Sequence, residues 1–378
     1  MNKIDSNLHK FLALGNEKCL VDGIVYYKNR NQLLNFLKDN KIKIVCDLPF
    51  ISAFMIEPNP HQMFNISRQS FVTYISSVSS VKTLINISKE IIGVKNANHY
   101  KGKKQTVAII DTGTMPHIDF TLCHNRIICF KDFVYGKKNV YDDNGHGTFV
   151  TGILAGSGVL SNKKFSGVAP NANIISLKAL NVNGEANAVT ILEAMQWIFD
   201  NHIKYDISVV CMSFGSEPLG SFDPIMKGAE KLWQEGIVVV CAGGNSGPKF
   251  ETIKSPGISK KIITVGGLND HRKSDGTYNT NEFEVADFSS RGPALNRIKP
   301  DIIAPSVNIT SCSYKGGYVK MSGTSVATPM VAGICVLIKQ KYPTATPDKI
   351  KKYLQSTAIT LRLNKYSQGY GVVNAKDL

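Results

Sequence analysis

Residues 106–113 read TVAIIDTG, a short apolar strand that ends directly in Asp111. From about residue 104 onward, the same order of buried strand, glycine-rich turn and helix repeats along the chain. Strands without apolar–polar alternation are buried on both faces, and helices between them predict a parallel sheet. In such sheets functional groups collect at the carboxyl ends of the strands, where Asp111 and Asn245 both lie.

The rest of this region completes an α/β pattern. Ser325 precedes the apolar helical run 326–338, and Pro329 is tolerated only near the start of a helix because it lacks an N–H. This places Ser325 at a helix N-terminus, where backbone N–H groups and the helix dipole favour a developing anion. Further strands are predicted at 174–179, 207–212, 237–242 and 262–265, with helices at 190–199 and around 231–233.

The first part of the chain has a different texture. Between about residues 20 and 84, short apolar runs alternate with helical spacing in the order β-α-β-β-α-β. That order predicts a small ferredoxin-like α+β unit. We therefore expect two domains, at residues 1–84 and 85–378.

Bulk composition narrows the function classes. The chain has 378 residues, 43% of them hydrophobic, and a formal net charge of +15. A nucleic-acid binder could carry such a charge, but the lysines are spread along the chain and no recognition module of that class is evident. No secretory signal or membrane span is visible, which predicts a cytoplasmic protein with no membrane partner. Eight scattered cysteines without a CxxC pair argue against a zinc ribbon and favour reduced thiols.

Three short segments carry residues that could do nucleophilic chemistry together. They are IIDTG at 109–113, NGHGT at 144–148 and GTS at 323–325. A serine hydroxyl needs a histidine to take its proton and a carboxylate to orient that histidine. Taken singly, Asp111 is more simply a turn residue, His146 a structural histidine and Ser325 a helix cap.

Together these segments resemble the catalytic signatures of the subtilisin-like (S8) serine peptidases. The order Asp, His, Ser is that of the family, and the chain is most similar to the intracellular, AprX-like branch. The likeness runs from about residue 84 to the C-terminus. Further landmarks occur in family order: SGVAP at 166–170, MSFG at 212–215, AGGNSG at 242–247, SPG at 255–257 and FSSRGP at 288–293.

The resemblance implies a fold and a set of roles. The fold would be a three-layer subtilisin-like fold around a central parallel sheet. Ser325 would be the nucleophile, His146 the general base and then acid, and Asp111 its orienting carboxylate. The Asn245 amide and the Ser325 backbone N–H would hold the oxyanion. A catalytically idle family member is the alternative, although all four of these residues are present.

The resemblance also implies how a substrate binds. Protein or peptide substrates in extended conformation would pair with two extended segments, Gly184-Glu185-Ala186 and Met212-Ser213-Phe214-Gly215. Ala242, Gly243 and Gly244 would form a wall of the S1 pocket. Which residue between Asn245 and Ser255 reaches the floor of that pocket stays open. The single acidic position Glu185 predicts a preference for basic substrate residues opposite it.

By the same resemblance, residues 1–84 would be a propeptide that assists folding. Its tail, residues 76–86, would then block the cleft as an intramolecular inhibitor until autoprocessing. A permanently attached accessory domain is the alternative. The chemistry requires no cofactor, and no metal site is assigned. The loop at 156–160 does not resemble the calcium loop of secreted subtilisins, so structural calcium is left unassigned.

Overall fold

The computed structural model describes residues 3, 4, 8, 9, 12, 20, 21, 23–49, 52–77, 84–94, 99–122, 124–273 and 275–378. The chain forms two compact units, Met1–Val81 and Lys82–Leu378. Of the tail predicted at 76–86, residues 78–83 lie outside the described residues. Within the described part, no helix is long and apolar enough to cross a membrane.

The first unit is an antiparallel sheet with two helices. Its elements follow the predicted order: β1 (Gly23–Tyr27), α1 (Arg30–Asp39), β2 (Lys43–Leu48), β3 (Ala53–Glu57), α2 (Pro60–Ser67) and β4 (Val72–Ser77). The strand order is β2-β3-β1-β4, and each neighbouring pair is antiparallel. Helix α2 begins with a capping box between Asn59 and Gln62. Val25, Leu33 and Met63 are fully buried between sheet and helices.

The second unit is built around one large sheet. It contains α3 (Leu84–Ile91), β5 (Thr106–Asp111), α4 (Ile118–Thr121), β6 (Ile127–Asp132), α5 (His146–Ala155), β7 (Asn173–Lys178), α6 (Ala188–Tyr205), β8 (Ile207–Met212), α7 (Pro224–Gln234), β9 (Val238–Ala242), β10 (Ile263–Asn269), β11 (Glu284–Val285), β12 (Ile302–Pro305), β13 (Ile309–Cys312), β14 (Tyr318–Met321), α8 (Thr324–Lys341), α9 (Pro347–Thr357) and α10 (Lys365–Gln368).

Strand order and helix packing give three layers. The sheet runs β11-β10-β9-β8-β5-β7-β6, with β12 added beside β10. Helices α5 and α8 pack together on one face, and α6 and α7 pack together on the other. Continuous apolar strands such as β9, whose five residues are all buried, are the expected sequence of a sheet covered on both faces. The predicted α/β fold class is thus confirmed.

Three details depart from the sequence prediction. The sheet is not wholly parallel, because β11 runs antiparallel to β10 at one edge. A separate antiparallel hairpin, β13–β14, was not predicted. Pro329 lies inside α8, one full turn after Ser325, so it is not confined to the helix start. Because proline has no N–H, the helix loses one hydrogen bond, the one that residue 329 would otherwise donate to the Ser325 carbonyl.

Five of the cysteines are free thiols. Cys211, Cys241, Cys312 and Cys335 are buried, and Cys129 is half-buried. Burial raises the pKa of the Cys211 and Cys241 thiols to about 12. These side chains therefore pack as small neutral hydrophobes inside the sheet.

Candidate active site

Asp111 and His146 form a hydrogen-bonded pair at the carboxyl edge of the sheet. Asp111 is the last residue of β5, and His146 is the first residue of α5. The His146 Nδ1 lies 2.8 Å from Asp111 Oδ1, with 1% of the Asp111 side chain and 27% of the His146 side chain exposed. Because a carboxylate accepts at this position, Nδ1 carries the proton. Nε2 of the neutral ring is left as a base.

The surroundings favour the charged form of His146. Burial opposes a charged imidazole, but the charge and hydrogen bond of Asp111 and the charge of Asp142 outweigh it, so the pKa of His146 is raised. Asp111 Oδ1 also accepts from the Thr112 backbone N–H at 2.8 Å. Its other oxygen, Oδ2, is buried without a hydrogen-bond partner among the described residues. The carboxylate is thus available to stabilise an imidazolium.

Asp142 holds the loop that carries His146. Its Oδ1 accepts from the Gly145 N–H at 2.8 Å and from the Thr112 hydroxyl at 2.9 Å. Its Oδ2 accepts from the N–H and hydroxyl of Thr148, at 2.8 and 2.6 Å. A carboxylate at the N-terminus of α5 satisfies free N–H groups there and complements the helix dipole. Asp142 was not predicted from the sequence, although an aspartate four residues before a helix-initial histidine is a recognisable loop signal.

Two glycines let α5 approach β5 closely. A Cβ atom on Gly147 would lie 2.0 Å from the Gly113 carbonyl oxygen. The Gly147 N–H donates to the Thr112 hydroxyl at 2.9 Å. No side chain fits at position 147, so the backbone of the helix rests directly on the loop after Asp111.

Ser325 and Asn245 meet beside Gly323. Ser325 is the second residue of α8, and Asn245 follows β9. A Cβ atom on Gly323 would lie 3.2 Å from Ser325 Oγ and 3.3 Å from Asn245 Nδ2. The hydroxyl and the amide donor therefore border the same small space. Gly323 has φ +151°, and its missing side chain keeps that space open.

Thr324 fixes the orientation of the Asn245 amide. Its backbone N–H and its hydroxyl both donate to Asn245 Oδ1, each at 2.9 Å. The Thr324 hydroxyl also accepts from the Gly244 N–H at 3.2 Å. With the amide oxygen occupied, Nδ2 is left to face outward as a donor. This role of Thr324 was not predicted from the sequence.

The segments predicted to bind substrate border one cavity of about 390 Å³. Its lining includes Gly184, Glu185 and Ala186 together with Phe214 and Gly215, so the structure brings these two segments together. Ser213, which directly precedes Phe214, is buried.

One of these segments is not extended as predicted. Gly184 has φ +78°, and its N–H donates to the Asn181 carbonyl at 2.9 Å. The Asn181 N–H in turn donates to the Glu185 carbonyl at 2.8 Å. Positive φ at Gly184 belongs to a tight turn, and the Glu185 N–H donates to Asn181 Oδ1 at 3.0 Å, so only Ala186 of this segment can present an open edge.

Lys254 is the residue that reaches between the expected S1 walls. A Cβ atom on Gly215 would lie 2.6 Å from Lys254 Cβ, and one on Gly244 would lie 2.5 Å from Lys254 Cγ. The ammonium pairs with Glu217, whose side chain is 82% exposed. The Lys254 N–H donates to the Gly243 carbonyl at 2.9 Å, and the Gly243 N–H donates to Val265 at 2.8 Å. Ala242 ends β9 immediately before this wall.

A buried lysine forms hydrogen bonds with both the loop after Asp111 and the substrate-side turn. Lys178, at the end of β7, has a fully buried side chain. Its Nζ donates to the Thr112 carbonyl at 2.8 Å, the Leu180 carbonyl at 2.9 Å and Asp143 Oδ1 at 2.6 Å. One ammonium thus connects the loop after Asp111 with the start of the substrate-side turn. Lys178 was not predicted from the sequence, because its position is that of a polar residue at the end of a strand.

Three buried side chains of the kinds that bind metal ions, those of His117, Asp119 and Cys312, lie close together outside the candidate active site. Their atoms are already occupied by hydrogen bonds. The two Asp119 oxygens accept from the Gly158 and Leu160 N–H groups, each at 3.1 Å. His117 Nδ1 accepts from the Asp119 N–H at 3.1 Å. Burial, with the charge of Asp119, raises the pKa of Cys312 well above its usual value. This chemistry suits a hydrogen-bonded core and does not suit a metal ion.

Comparisons with known proteins agree on one family. The model of the subtilase family, Peptidase_S8, matches residues 102–372. Serine protease AprX of Bacillus subtilis is 37% identical over 342 residues, covering 85% of this chain and 75% of that protein. Subtilisin DY of Bacillus licheniformis is 33% identical over 287 residues, covering 74% and 92%.

Solved structures with this fold are also similar. Sphericase superposes with a TM-score of 0.64 at 28% identity, covering 75% of this chain and 97% of that one. The S41 psychrophilic protease gives a TM-score of 0.66 at 29% identity, covering 79% and 100%. These matches agree with the Asp111–His146 pair and with the placement of Ser325 and Asn245 beside Gly323. The chain therefore belongs to the subtilase family and is a subtilisin-like serine peptidase.

Proposed function

We propose that Asp111, His146 and Ser325 form the catalytic triad of an endopeptidase that works through an acyl-enzyme. The 2.8 Å contact between His146 Nδ1 and Asp111 Oδ1 carries this proposal, because it fixes the tautomer that a general base needs. Ser325 Oγ attacks the substrate carbonyl carbon while its proton passes to His146 Nε2. The imidazolium formed is stabilised by Asp111 and then returns the proton to the leaving amine.

The oxyanion of the tetrahedral intermediate would be held by two donors, the Asn245 Nδ2 amide and the Ser325 backbone N–H. Thr324 supports this role by occupying the amide oxygen, which leaves Nδ2 as the outward donor. The N-terminal position of Ser325 on α8 adds a favourable helix dipole. Water then attacks the acyl carbon, with His146 again as base. The bond to Ser325 Oγ breaks as His146 returns the proton to that oxygen, and the second product leaves with its new carboxylate.

Substrates would bind as an extended strand between Ala186 and Ser213-Phe214-Gly215. Their main chain can add to these open edges, so unfolded or loop segments are favoured. The residue before the scissile bond would enter between Gly215 and Gly244, where Lys254 and Glu217 set the charge. The chemistry needs no metal or other cofactor.

We further propose that residues 1–84 act as an autoprocessed propeptide and intramolecular inhibitor. The support is a compact unit with four antiparallel strands and two helices placed ahead of the peptidase unit. A cytoplasmic location stays a prediction.

The test compares wild type, Ser325→Ala and a matched surface variant, Ser356→Ala, on an unstructured protein substrate. Intact mass is measured for each purified chain. We expect wild type and Ser356→Ala to digest the substrate and to lose their residues up to about 84, and Ser325→Ala to do neither. If Ser325→Ala digests as fast as wild type, the triad is wrong. If an active wild type keeps its full mass, the propeptide proposal is wrong.

A further inference from the structure

A second cleft, of about 810 Å³, lies in the peptidase unit and shares no lining residue with the candidate active site. It is bordered by the segment before β10, the segment before β12, and helices α9 and α10. Seven of its lining residues are lysine or arginine and two are aspartate, an excess of five positive charges. Such a concentration of one sign in a concave site focuses the electrostatic field.

The base of this basic cleft is a buried lysine pair that shares one carboxylate. Lys299 Nζ lies 2.7 Å from Asp301 Oδ2, and Lys351 Nζ lies 2.9 Å from Asp301 Oδ1. Lys299 also donates to the Ile262 carbonyl at 3.1 Å and the Thr264 hydroxyl at 2.8 Å. Burial, and then the charge of Lys299, lowers the pKa of Lys351 to about 8. Two ammonium groups against one carboxylate leave the base positively charged.

The rim of the cleft adds further positive charge, which its acidic residues do not neutralise. Asp348, the second acid of the cleft, accepts from Trp233 Nε1 at 3.0 Å. Five cationic side chains on the rim have no hydrogen bond or ion pair within the part of the chain that the structure describes: Lys260, Lys261, Arg297, Lys352 and Lys365. Like charges that converge in this way repel one another, and a bound anion would relieve that repulsion.

The volume and charge select the kind of anion. A cleft of about 810 Å³ is in the size range of small-molecule sites, so a compact ligand fits it better than a nucleic-acid duplex does. The excess of five positive charges calls for several negative charges close together, which linked phosphates provide. Arg297 can bind phosphate oxygens in pairs, and lysines bind them as point charges. Tyr366 and Tyr370 add aromatic faces to the lining.

We propose that the basic cleft binds a chain of linked phosphate groups, supplied by inorganic polyphosphate or by a nucleoside triphosphate. Arg297 and Lys365 on the rim contact the phosphates. The ammonium groups of the lysine pair already bond Asp301 and backbone carbonyls, so they contribute positive charge from the base without direct contact. This site is separate from the peptidase chemistry, so its occupancy can be measured on a protein that does not cut itself.

The test is calorimetric titration of the full-length Ser325→Ala protein with sodium triphosphate and with ATP. We expect saturable binding that weakens steeply when salt is raised. The double variant Arg297→Glu/Lys365→Glu should weaken binding by about tenfold or more, since it reverses two rim charges. The neutral pair Arg297→Gln/Lys365→Gln should weaken it less but clearly, and circular dichroism checks that each variant is folded.

The matched control is Lys103→Glu/Lys320→Glu, which makes the same change in net charge at exposed lysines outside the cleft. It should leave binding within about twofold of the parent, as expected for contributions beyond a Debye length. Equal affinity for triphosphate and ATP identifies the phosphate chain alone as the ligand. Tighter ATP binding that Tyr366→Ala abolishes identifies a nucleotide.

Three results would overturn the proposal. The first is no saturable heat with either anion at low salt. The second is an equal loss in the control and in the cleft variants, since diffuse attraction to a basic protein would then explain binding. The third is a single-stranded RNA that binds more tightly at equal phosphate concentration, with affinity growing with length, because that identifies a nucleic-acid surface.

Discussion

Asn245 Oδ1 accepts two hydrogen bonds from the same residue, Thr324, one from its backbone N–H and one from its hydroxyl, each at 2.9 Å. The two bonds hold the amide plane from its oxygen side. The rest of the amide, Nδ2, is then presented beside Ser325 Oγ next to Gly323. The donor of the proposed oxyanion hole is therefore preorganised, and the cost of orienting it is met during folding.

The first prediction concerns this orientation. Thr324→Val keeps the size and the backbone N–H but removes the hydroxyl. We expect kcat to fall by about tenfold with little change in KM, because the loss acts on the transition state and is smaller than the hundredfold or more expected for Asn245→Ala. Thr324→Ser, which restores a hydroxyl, should recover most of the rate. A variant with raised KM and unchanged kcat would contradict a role in orienting Asn245.

The second prediction concerns pH. Activity needs neutral His146, and its pKa is raised, so kcat/KM should fall as pH drops through a value above 6.5. The contribution of His146 to the free energy of unfolding changes with pH in the opposite direction. The contribution of the raised pKa to the free energy of unfolding is complete below 6.5 and is lost as pH rises through the folded-state value.

Both halves of this prediction can be measured on the Ser325→Ala background and its parent. A pH–rate profile of the parent gives the apparent pKa. Urea titrations at several pH values compare Ser325→Ala with Ser325→Ala/His146→Ala, and their difference should shrink as pH rises. An apparent pKa below 6.5, or a difference that grows with pH, would contradict the assigned environment of His146.

The third prediction concerns the S1 pocket. Because the aliphatic stem of Lys254 lies between Gly215 and Gly244 and its ammonium pairs with Glu217 beside them, we expect wild type to cut poorly after lysine and arginine. Lys254→Met should raise kcat/KM after leucine relative to glutamate by about tenfold, since it removes a charge from an apolar slot. Lys249→Met, an exposed position in the same segment, is the control. Peptide-library cleavage followed by mass spectrometry gives the preferences, and identical profiles for all three proteins would show that Lys254 lies outside the pocket.

The fourth prediction concerns Glu185. Three acids line the substrate cavity, but Glu217 pairs with Lys254 and Asp223 accepts from the Ser255 hydroxyl at 2.6 Å. Exposed Glu185 is left as the acid available to a substrate. Glu185→Ser should lower the preference for basic residues at the facing subsite by a few-fold, as for a solvent-exposed ion pair. An unchanged preference in Glu185→Ser would remove this role.

The sequence was sufficient for much of the fold and for which residues to look at in the site. Continuous apolar strands and intervening helices predicted the α/β class, and β8 spans the predicted residues 207–212. The edge strand β11 and the hairpin β13–β14 were missed, because strands of two to four residues are too short to show a clear period. Asp111, His146, Asn245 and Ser325 stood out because their short motifs, in this order, resemble the signatures of the subtilisin-like peptidases.

The supporting residues could not be predicted, because their partners are distant in the sequence. Nothing near Thr324 indicates that it bonds a side chain 79 positions earlier. Lys254 was one of several candidates, and only the contacts with Gly215 and Gly244 select it. Gly184 was predicted to be extended, yet the choice between a strand and a turn depended on where Asn181 finds its hydrogen bond.

The contact of Gly147 with the Gly113 carbonyl has a consequence for how accurately the histidine is placed. A side chain between two elements acts as an adjustable spacer, since it can change rotamer when a neighbour moves. Here no spacer exists: a Cβ at position 147 would lie 2.0 Å from that oxygen, so two peptide backbones touch. The separation of imidazole and carboxylate is thus set by direct contact between two backbone segments. Substitutions in the surrounding core can change stability while this one length stays constant.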